Sequence, residues 1–304
     1  MSKRTSRSPS RGAAAVHRGW GLNLLYMPAL ILFGVFTVYP LINGLGLSFT
    51  NWNGYSPGYS PVGLSNYTRL FSDPNFLVAL RNTLIYGFGS TLLQQILGLA
   101  LAIAFNRKFR GRNALRAIVY LPVLISPVVM GAMYYMLFSY NYGGINDIAE
   151  ALGGARVSWL SSPTMAVGII VAVNSLQFVG ISMVIYMAGL QSIPVECIEA
   201  ASMDGATGWQ RFYHISLPLL QPAFATSVVL NLIGGLKLFD IIQVLTKGGP
   251  GYSTHSVSTL ISKVYFDNQS AGYAAAMGVV LFVIIAVFTF TLNAWFDRRR
   301  VDGV

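Results

Sequence analysis

Charged residues are spread unevenly along the chain, and six long intervals contain no Asp, Glu, Lys or Arg. An ionisable side chain at the centre of a bilayer costs about 2.5 to 3.5 kcal/mol, and a helix needs roughly 20 residues to cross the hydrocarbon core. Each interval is long and apolar enough to hold such a helix. The predicted spans are Leu22–Leu47, Thr83–Phe105, Ile118–Phe138, Met165–Leu190, Leu219–Leu236 and Ala274–Trp295.

The segments between the spans show weaker patterns. A seventh charge-free interval, Gly248–Ser262, is short and rich in Gly and Ser, so we predict a loop there. The segments Asn51–Arg81 and Tyr140–Pro163 are longer than turns but too short for a separate domain. Neither pattern is typical of a catalytic loop.

Composition supports an all-α membrane protein. Apolar residues make up 54% of the 304 residues and charged residues 10%, whereas a soluble domain has about 25% charged residues. An aromatic content of 13% excludes intrinsic disorder. The net charge of +10 would suggest a nucleic-acid partner for a soluble protein, but in a membrane protein it bears on topology instead.

The distribution of positive charge predicts the orientation of the six spans. An even number of spans places both termini on one side, and that side carries fourteen of the 20 Lys and Arg residues. By the positive-inside rule, both termini are cytoplasmic. The predicted organisation is a basic cytoplasmic tail (1–18), the first helix with an outer loop (19–81), a core of five helices (82–296) and a cytoplasmic C-terminus (297–304).

One cytoplasmic loop, Gln191–Leu217, departs from this charge pattern. It carries Glu196, Glu199 and Asp204 but only one basic residue, Arg211. Acidic side chains are stabilised near a helix N-terminus, so Glu196 and Glu199 favour a helix that begins near the start of the loop. The loop therefore has a purpose other than fixing topology.

Local signals predict two short helices in this loop. Pro194 suits the first turn of a helix, and Gly205 supplies the left-handed residue that ends it. Thr207 and Gln210 have the spacing of a capping box that begins a second helix, which we expect to end before Leu217-Pro218. A bend with small side chains suits the docking of a partner, and an ordinary amphipathic interfacial turn is the alternative.

The same loop carries a specific resemblance. The string Glu199-Ala200-Ala201-Ser202-Met203-Asp204-Gly205-Ala206, followed by Gln210, Phe212 and Leu217-Pro218, resembles the EAA loop of permease subunits in binding-protein-dependent ABC importers. Flanking motifs are similar to those of the sugar-importing branch, and they include Tyr120-Leu121-Pro122, Asn146, Ala188–Pro194, Thr246-Lys247-Gly248-Gly249-Pro250 and Gly272–Ala276. One departure is Leu176, where members often carry a tryptophan.

The resemblance implies the ABC importer permease fold and a coupling mechanism. The EAA segment would form a coupling helix in a cleft of a cytoplasmic ATPase subunit, so that closure of two such ATPases rocks the spans. The residues assigned to this contact are Glu199, Ala200, Ala201, Asp204, Gly205, Gln210, Phe212 and Pro218.

The resemblance also implies partners and a location. The Thr246–Pro250 turn is similar to that of permeases that form a heterodimer with a second, homologous permease. A solute-binding protein would deliver the carbohydrate from outside, and membrane lipid would surround the spans in the cell membrane of a prokaryote. ATP and magnesium would be used by the ATPase subunits, with no cofactor bound by this chain.

Polar and aromatic residues in or near the spans are candidates for contact with the carbohydrate. Amides can hydrogen-bond to sugar hydroxyls, and an aromatic ring can stack on a sugar face. The alternative is that the amides bond across helices and that the two charged residues, three positions apart, pair with each other. The candidates are Asn174, Gln177, Asn231, Lys237, Phe239 and Asp240.

Two other function classes fit less well. The chain has no Gly-x-x-x-x-Gly-Lys-Ser/Thr phosphate loop, so ATP hydrolysis would need a partner subunit. An ion-coupled secondary transporter of a small polar solute is the alternative function, but the predicted spans contain no acidic residue. An intramembrane enzyme would need paired carboxylates or a nucleophile with its base, and no such set is evident.

Overall fold

The computed structural model describes residues 26–298. The basic tail 1–18, the beginning of the first predicted span and the last residues of the C-terminus lie outside the described residues. Between residues 26 and 298 the elements are helices, with no β-strand beyond an isolated bridge between Thr50 and Pro61. The predicted all-α class is therefore confirmed for this part of the chain.

Thirteen helices follow one another in the described part of the chain. Three of them include a π-helical turn, at Gly34–Val38, Ile85–Gly89 and Phe212–Ser216. The helices are α1 (Met27–Leu47), α2 (Ser65–Ser72), α3 (Pro74–Asn106), α4 (Arg112–Leu124), α5 (Pro127–Leu137), α6 (Gly144–Ala151), α7 (Pro163–Gln191), α8 (Val195–Met203), α9 (208–219), α10 (Gln221–Leu236), α11 (Asp240–Leu245), α12 (Val257–Phe266) and α13 (Ala271–Asp297).

Most of the predicted spans are present as helices long enough to cross a bilayer. Helices α1, α3, α7 and α13 and the α10–α11 stretch meet this length, and the bent pair α4–α5 brings the number to six if it counts as one span. Helix α3 begins nine residues before the predicted Thr83. It does so because the Asp73 carboxylate accepts a hydrogen bond from the Asn75 N–H and Pro74 occupies the first turn.

The prediction of one continuous helix for the third span, Ile118–Phe138, is wrong. Helices α4 and α5 meet at an angle of 100°. Ser126 has an extended ψ of 135° because it precedes Pro127, whose ring disfavours helical geometry in the residue before it. The bend places the Ile125 carbonyl within hydrogen-bond distance of Gln177 on α7.

The region that follows α10 also differs from the prediction. The helix ends at Leu236 and restarts at Asp240, with Phe239 in a non-helical conformation. The predicted loop Gly248–Ser262 is wrong in its second half, where α12 begins behind a capping box of Ser256 and Thr259. With ten residues, α12 is too short to cross a bilayer.

Glycine residues allow the central helices α3, α7 and α10 to approach closely. A Cβ atom at Gly98 would lie 2.5 Å from the Cβ of Ser182 on α7, and one at Gly235 would lie 2.8 Å from the Cα of Gly87 on α3. Small residues at helix crossings are typical of membrane proteins, in which close van der Waals packing replaces the hydrophobic effect. These contacts hold the core of the described structure together.

A methyl group at Gly98 should destabilise the protein. We expect Gly98→Ala to lower the free energy of unfolding by about 1 to 3 kcal/mol, since α3 and α7 would have to separate. Gly168→Ala on α7 is the matched control, because no atom lies within 4 Å of its Cβ position. Thermal unfolding in detergent measures the difference, and equal midpoints for the two variants would show that the α3–α7 contact is not tight.

Candidate coupling surface and translocation cavity

The sequence of the loop Gln191–Leu217 determines the end of α8. The Ala206 N–H donates to the Ala201 carbonyl at 2.9 Å, and the Gly205 N–H donates to the Ser202 carbonyl at 3.2 Å. These two bonds form a Schellman motif, which requires a left-handed residue, and Gly205 has φ +78°. The predicted stop at Gly205 is confirmed.

The predicted capping box at the start of α9 is also confirmed. The Thr207 hydroxyl accepts from the Gln210 N–H, and the Gln210 side chain accepts from the Thr207 N–H at 2.8 Å. Arg211 donates to the Ser202 hydroxyl and so joins α9 to α8. The two short helices therefore form one hydrogen-bonded bend.

The prediction that the second helix ends before Leu217-Pro218 is wrong. Helical turns continue through the π turn Phe212–Ser216 to Leu219. The π turn shifts the hydrogen-bond register, so Pro218 falls in the first turn of the next helical segment, where its missing N–H is tolerated. Helix α9 consequently leads almost directly into α10.

The bend exposes both polar and apolar side chains. Glu199, Ala200 and Asp204 are exposed, as are Gly205, Gln210 and Pro218, whereas Ala201 and Phe212 are half-buried. The sequence reasoning did not single out Met203 and Trp209, which are 88% and 73% exposed on either side of Gly205. The Phe212 ring lies 5.8 Å from that of Trp209. This bend, Val195–Tyr213, is called the coupling surface below.

A second feature is a cavity of about 310 Å³ lined by α3, α5, α7, α10, the break before α11 and the start of α11. Five of the six candidate contact residues line it, although they come from different elements. Gln94 and Phe178 also line the cavity and were not predicted; the Gln94-Gln95 pair in an otherwise apolar span was the available signal. The five candidates are Asn174, Asn231, Lys237, Phe239 and Asp240.

Gln177 is the candidate that the structure places elsewhere. Its side chain is buried, and its amide donates to the Ile125 carbonyl at 3.2 Å, in the bend between α4 and α5. That carbonyl loses its helical partner at the bend, so Gln177 stabilises the bend and does not line the cavity.

The two asparagine residues of the cavity differ in their bonding. The Asn231 amide donates across helices to the Ser182 hydroxyl at 2.6 Å and to the Ser227 hydroxyl at 3.4 Å. The side chain of Asn174 has no hydrogen-bond partner among the described residues, and its backbone carbonyl accepts from the Gln94 amide at 3.2 Å. Asn231 thus bonds across helices, as the alternative to sugar contact predicted. The side-chain amide of Asn174, in contrast, makes no hydrogen bond to the described part of the protein.

Charge is confined to one end of the cavity. Lys237 and Asp240 are both exposed, and no ion pair joins them. Phe239 lies between them in the chain and is half-buried. We call Lys237, Leu238, Phe239 and Asp240 the mouth of the cavity. No group of three or more potential metal-ligating side chains occurs among residues 26–298.

Comparison with known proteins identifies the family. Residues 94–302 match the family described as "Binding-protein-dependent transport system inner membrane component". The chain belongs to this family. The match includes the coupling surface and every residue that lines the cavity.

Relatives extend the similarity over nearly the whole chain. The trehalose/maltose transport system permease protein MalF of Thermococcus litoralis is 35% identical, over 88% of this chain and 90% of its own length. The lactose transport system permease protein LacF of Rhizobium radiobacter is 33% identical, over 97% and 99% respectively. A multiple sugar-binding transport system permease, MsmF of Streptococcus mutans, is 34% identical, over 90% and 93%.

Solved structures share the fold. A chain of a bacterial alginate ABC transporter, in complex with an alginate pentasaccharide-bound periplasmic protein, matches with a TM-score of 0.83 and 28% identity. The match covers 97% of this chain and 100% of that chain. A second structure of an alginate importer gives a TM-score of 0.81 at 28% identity.

Family membership decides between the function classes. The protein is an integral membrane permease subunit of an ABC importer, and it is not an enzyme. The reading as an ion-coupled secondary transporter is set aside, because the family and the relatives are components of ABC importers.

The bonding of the two asparagines predicts that their substitution affects stability to different extents. We expect Asn231→Ala to lower the free energy of unfolding by about 1 to 3 kcal/mol, because it leaves the buried Ser182 hydroxyl without its partner. Asn174→Ala removes an amide that makes no protein hydrogen bond, so the midpoint of thermal unfolding should change little. A larger loss for Asn174→Ala than for Asn231→Ala would contradict this assignment.

Proposed function

We propose that this chain is one of two different permease subunits of a carbohydrate importer and that the cavity is part of the path of the sugar. The observation that carries the proposal is the composition of the cavity wall. Asn174 offers an unused amide, while Phe178 and Phe239 offer ring faces, and the two formal charges, Lys237 and Asp240, are opposite in sign. Such a wall suits a polyhydroxylated solute of low net charge.

The relatives support the same class of solute. Their names refer to trehalose and maltose, lactose and multiple sugars, all of which are carbohydrates. The alternative solutes within the resemblance are monosaccharides and glycerol phosphate. A phosphorylated solute is less favoured by this cavity, because Lys237 is its single basic residue.

The coupling surface suits contact with an ATPase. Exposed Met203 and Trp209 flank a bend that is held by five backbone and side-chain hydrogen bonds. Exposed apolar side chains on a rigid projection are typical of protein docking sites. In the proposed assembly, two cytoplasmic ATPase subunits use ATP and magnesium, and one of them binds the segment Glu199–Gly205.

The proposed orientation follows from the charges. Both termini and the coupling surface face the cytoplasm, and the mouth of the cavity faces the solute-binding protein outside. The basic segment Arg107–Arg116 then lies on the cytoplasmic side, where anionic lipid headgroups would stabilise it. The assembly would lie in the cell membrane of a prokaryote.

Substitutions at Gly205 distinguish a backbone requirement from close contact with the ATPase. No atom of this chain lies within 4 Å of a Cβ at Gly205, but its φ of +78° strains most side chains. Asparagine tolerates this conformation and valine does not. If backbone geometry is what matters, Gly205→Asn should keep most uptake, whereas Gly205→Val should reduce uptake at least tenfold.

The measurement is sugar uptake, together with ATP hydrolysis, in proteoliposomes that contain the complete importer. Gly153→Val is the matched control, because Gly153 also has positive φ and open space but lies in the outer segment after α6. Equal loss in Gly205→Asn and Gly205→Val would indicate that the ATPase itself fills the space at Gly205. Full uptake in both variants would refute a role for this bend in coupling.

Two substitutions at Phe239, one that removes the aromatic ring and one that keeps it, test the proposed contact with the sugar. We expect Phe239→Ala to reduce uptake by about three- to tenfold, the range of one aromatic stacking contact, and Phe239→Tyr to retain it. Phe290→Ala on α13, whose side chain is 74% exposed, is the control and should leave uptake unchanged. If alanine at 239 transports as well as phenylalanine, the ring does not contact the sugar.

A further inference from the structure

The outer segment 246–256 is held to α3 by hydrogen bonds that the proposed function does not use. The buried Asn82 amide donates to the Ser253 carbonyl at 2.7 Å and to the His255 carbonyl at 3.1 Å. The Tyr86 hydroxyl donates to the Thr254 carbonyl at 2.9 Å. Three consecutive carbonyls of an outer segment are therefore bonded to one long helix.

The segment is also compact within itself. The Thr254 hydroxyl donates to the Gly249 carbonyl at 2.7 Å. The buried His255 ring lies against Gly248, which has φ +83° and no room for a Cβ. Burial lowers the pKa of His255 to about 4, so the ring is neutral at neutral pH and shares a hydrogen bond with the Thr259 hydroxyl at 2.9 Å. The segment thus behaves as a rigid unit.

Ser256 connects this unit to the mouth of the cavity. Its hydroxyl accepts from the Thr259 N–H at 3.2 Å, as the N-cap of α12, and donates to the Leu238 carbonyl at 2.7 Å. Leu238 lies in the break between α10 and α11, where the regular helical hydrogen bonds are interrupted. One buried hydroxyl therefore begins α12 and supplies the hydrogen bond to this carbonyl of the broken span.

The position of Leu238 gives this bond a role in transport. Its chain neighbours Lys237 and Phe239 line the cavity, and so does Leu238 itself. We propose that Ser256 is a positioning residue: by holding the Leu238 carbonyl, it fixes the break in the fifth span and with it the side chains of the mouth. The inference rests on the proposed function only in treating this cavity as the path of the solute.

Ser256 could act only as the cap of α12, which would be a purely structural role. A substitution at Thr259 distinguishes this role from the positioning of the Leu238 carbonyl. The Thr259 hydroxyl accepts from the Ser256 N–H at 3.0 Å but makes no bond to the mouth. Thr259→Val therefore removes the bonds of this hydroxyl to the Ser256 N–H and to the His255 ring, and it leaves the bond to Leu238 in place. Ser256→Ala removes both the cap of α12 and the bond to the Leu238 carbonyl, whereas Ser256→Thr keeps a hydroxyl at this position.

The direct test measures the mobility of the mouth. A spin label is attached to Asp240→Cys in the assembled importer, with the exposed Cys197 replaced by Ser and no other reactive cysteine present. We expect Ser256→Ala to increase the mobility of the label in the electron paramagnetic resonance spectrum, while Ser256→Thr and Thr259→Val leave it near the parent value. Equal mobility in Ser256→Ala and Thr259→Val would overturn the proposal.

A second measurement, on importers without the label, links the positioning to transport. Uptake per ATP hydrolysed should fall about two- to tenfold in Ser256→Ala, the range expected for one hydrogen bond, and should be restored in Ser256→Thr. Mobility that changes without a change in uptake would leave the bond to Leu238 established but refute its role in transport. Failure of the proposed sugar path would appear instead as unchanged uptake in Phe239→Ala.

Discussion

The structure depends on one constraint, which is that a backbone polar group at membrane depth must find its partner within the protein. Continuous helices meet this constraint by themselves, but two spans are broken. At the first break the Ile125 carbonyl accepts from Gln177, and at the second the Leu238 carbonyl accepts from Ser256. Each break is thus stabilised by a polar side chain from a different helix or its cap. The breaks can persist because these partners are buried and well placed.

The same constraint explains why polar residues in the interior have two kinds of role. Asn231 and Gln177 are bonded to the protein and serve its architecture, whereas the Asn174 side chain is left available at the cavity. Residue type therefore does not separate the roles. The separation comes from whether a second helix brings a matching donor or acceptor within about 3 Å.

Much of the fold could be predicted from the sequence, because a missing charge is a local signal. The spans α7 and α13 agree with the prediction within three residues at each end, and the bend at Gly205 follows from glycine and a capping box that are close in sequence. The breaks could not be predicted in the same way. Gln177 is 52 residues from Ile125, and Ser256 is 18 residues from Leu238, so neither pairing is visible until the chain is folded.

The π-helical turn Ile85–Gly89 in α3 changes the relative directions of the side chains before and after it. A π turn contains one extra residue, and one residue corresponds to about 100° of rotation around a helix axis. Asn82, before the turn, bonds to the segment 246–256, and Gln94, after it, bonds to the Asn174 carbonyl beside the cavity. In an uninterrupted α-helix the relative direction of these two side chains would differ by about 100° from the arrangement seen here. The extra residue thus sets the relative direction in which one helix presents a side chain to the segment 246–256 and another to the wall of the cavity.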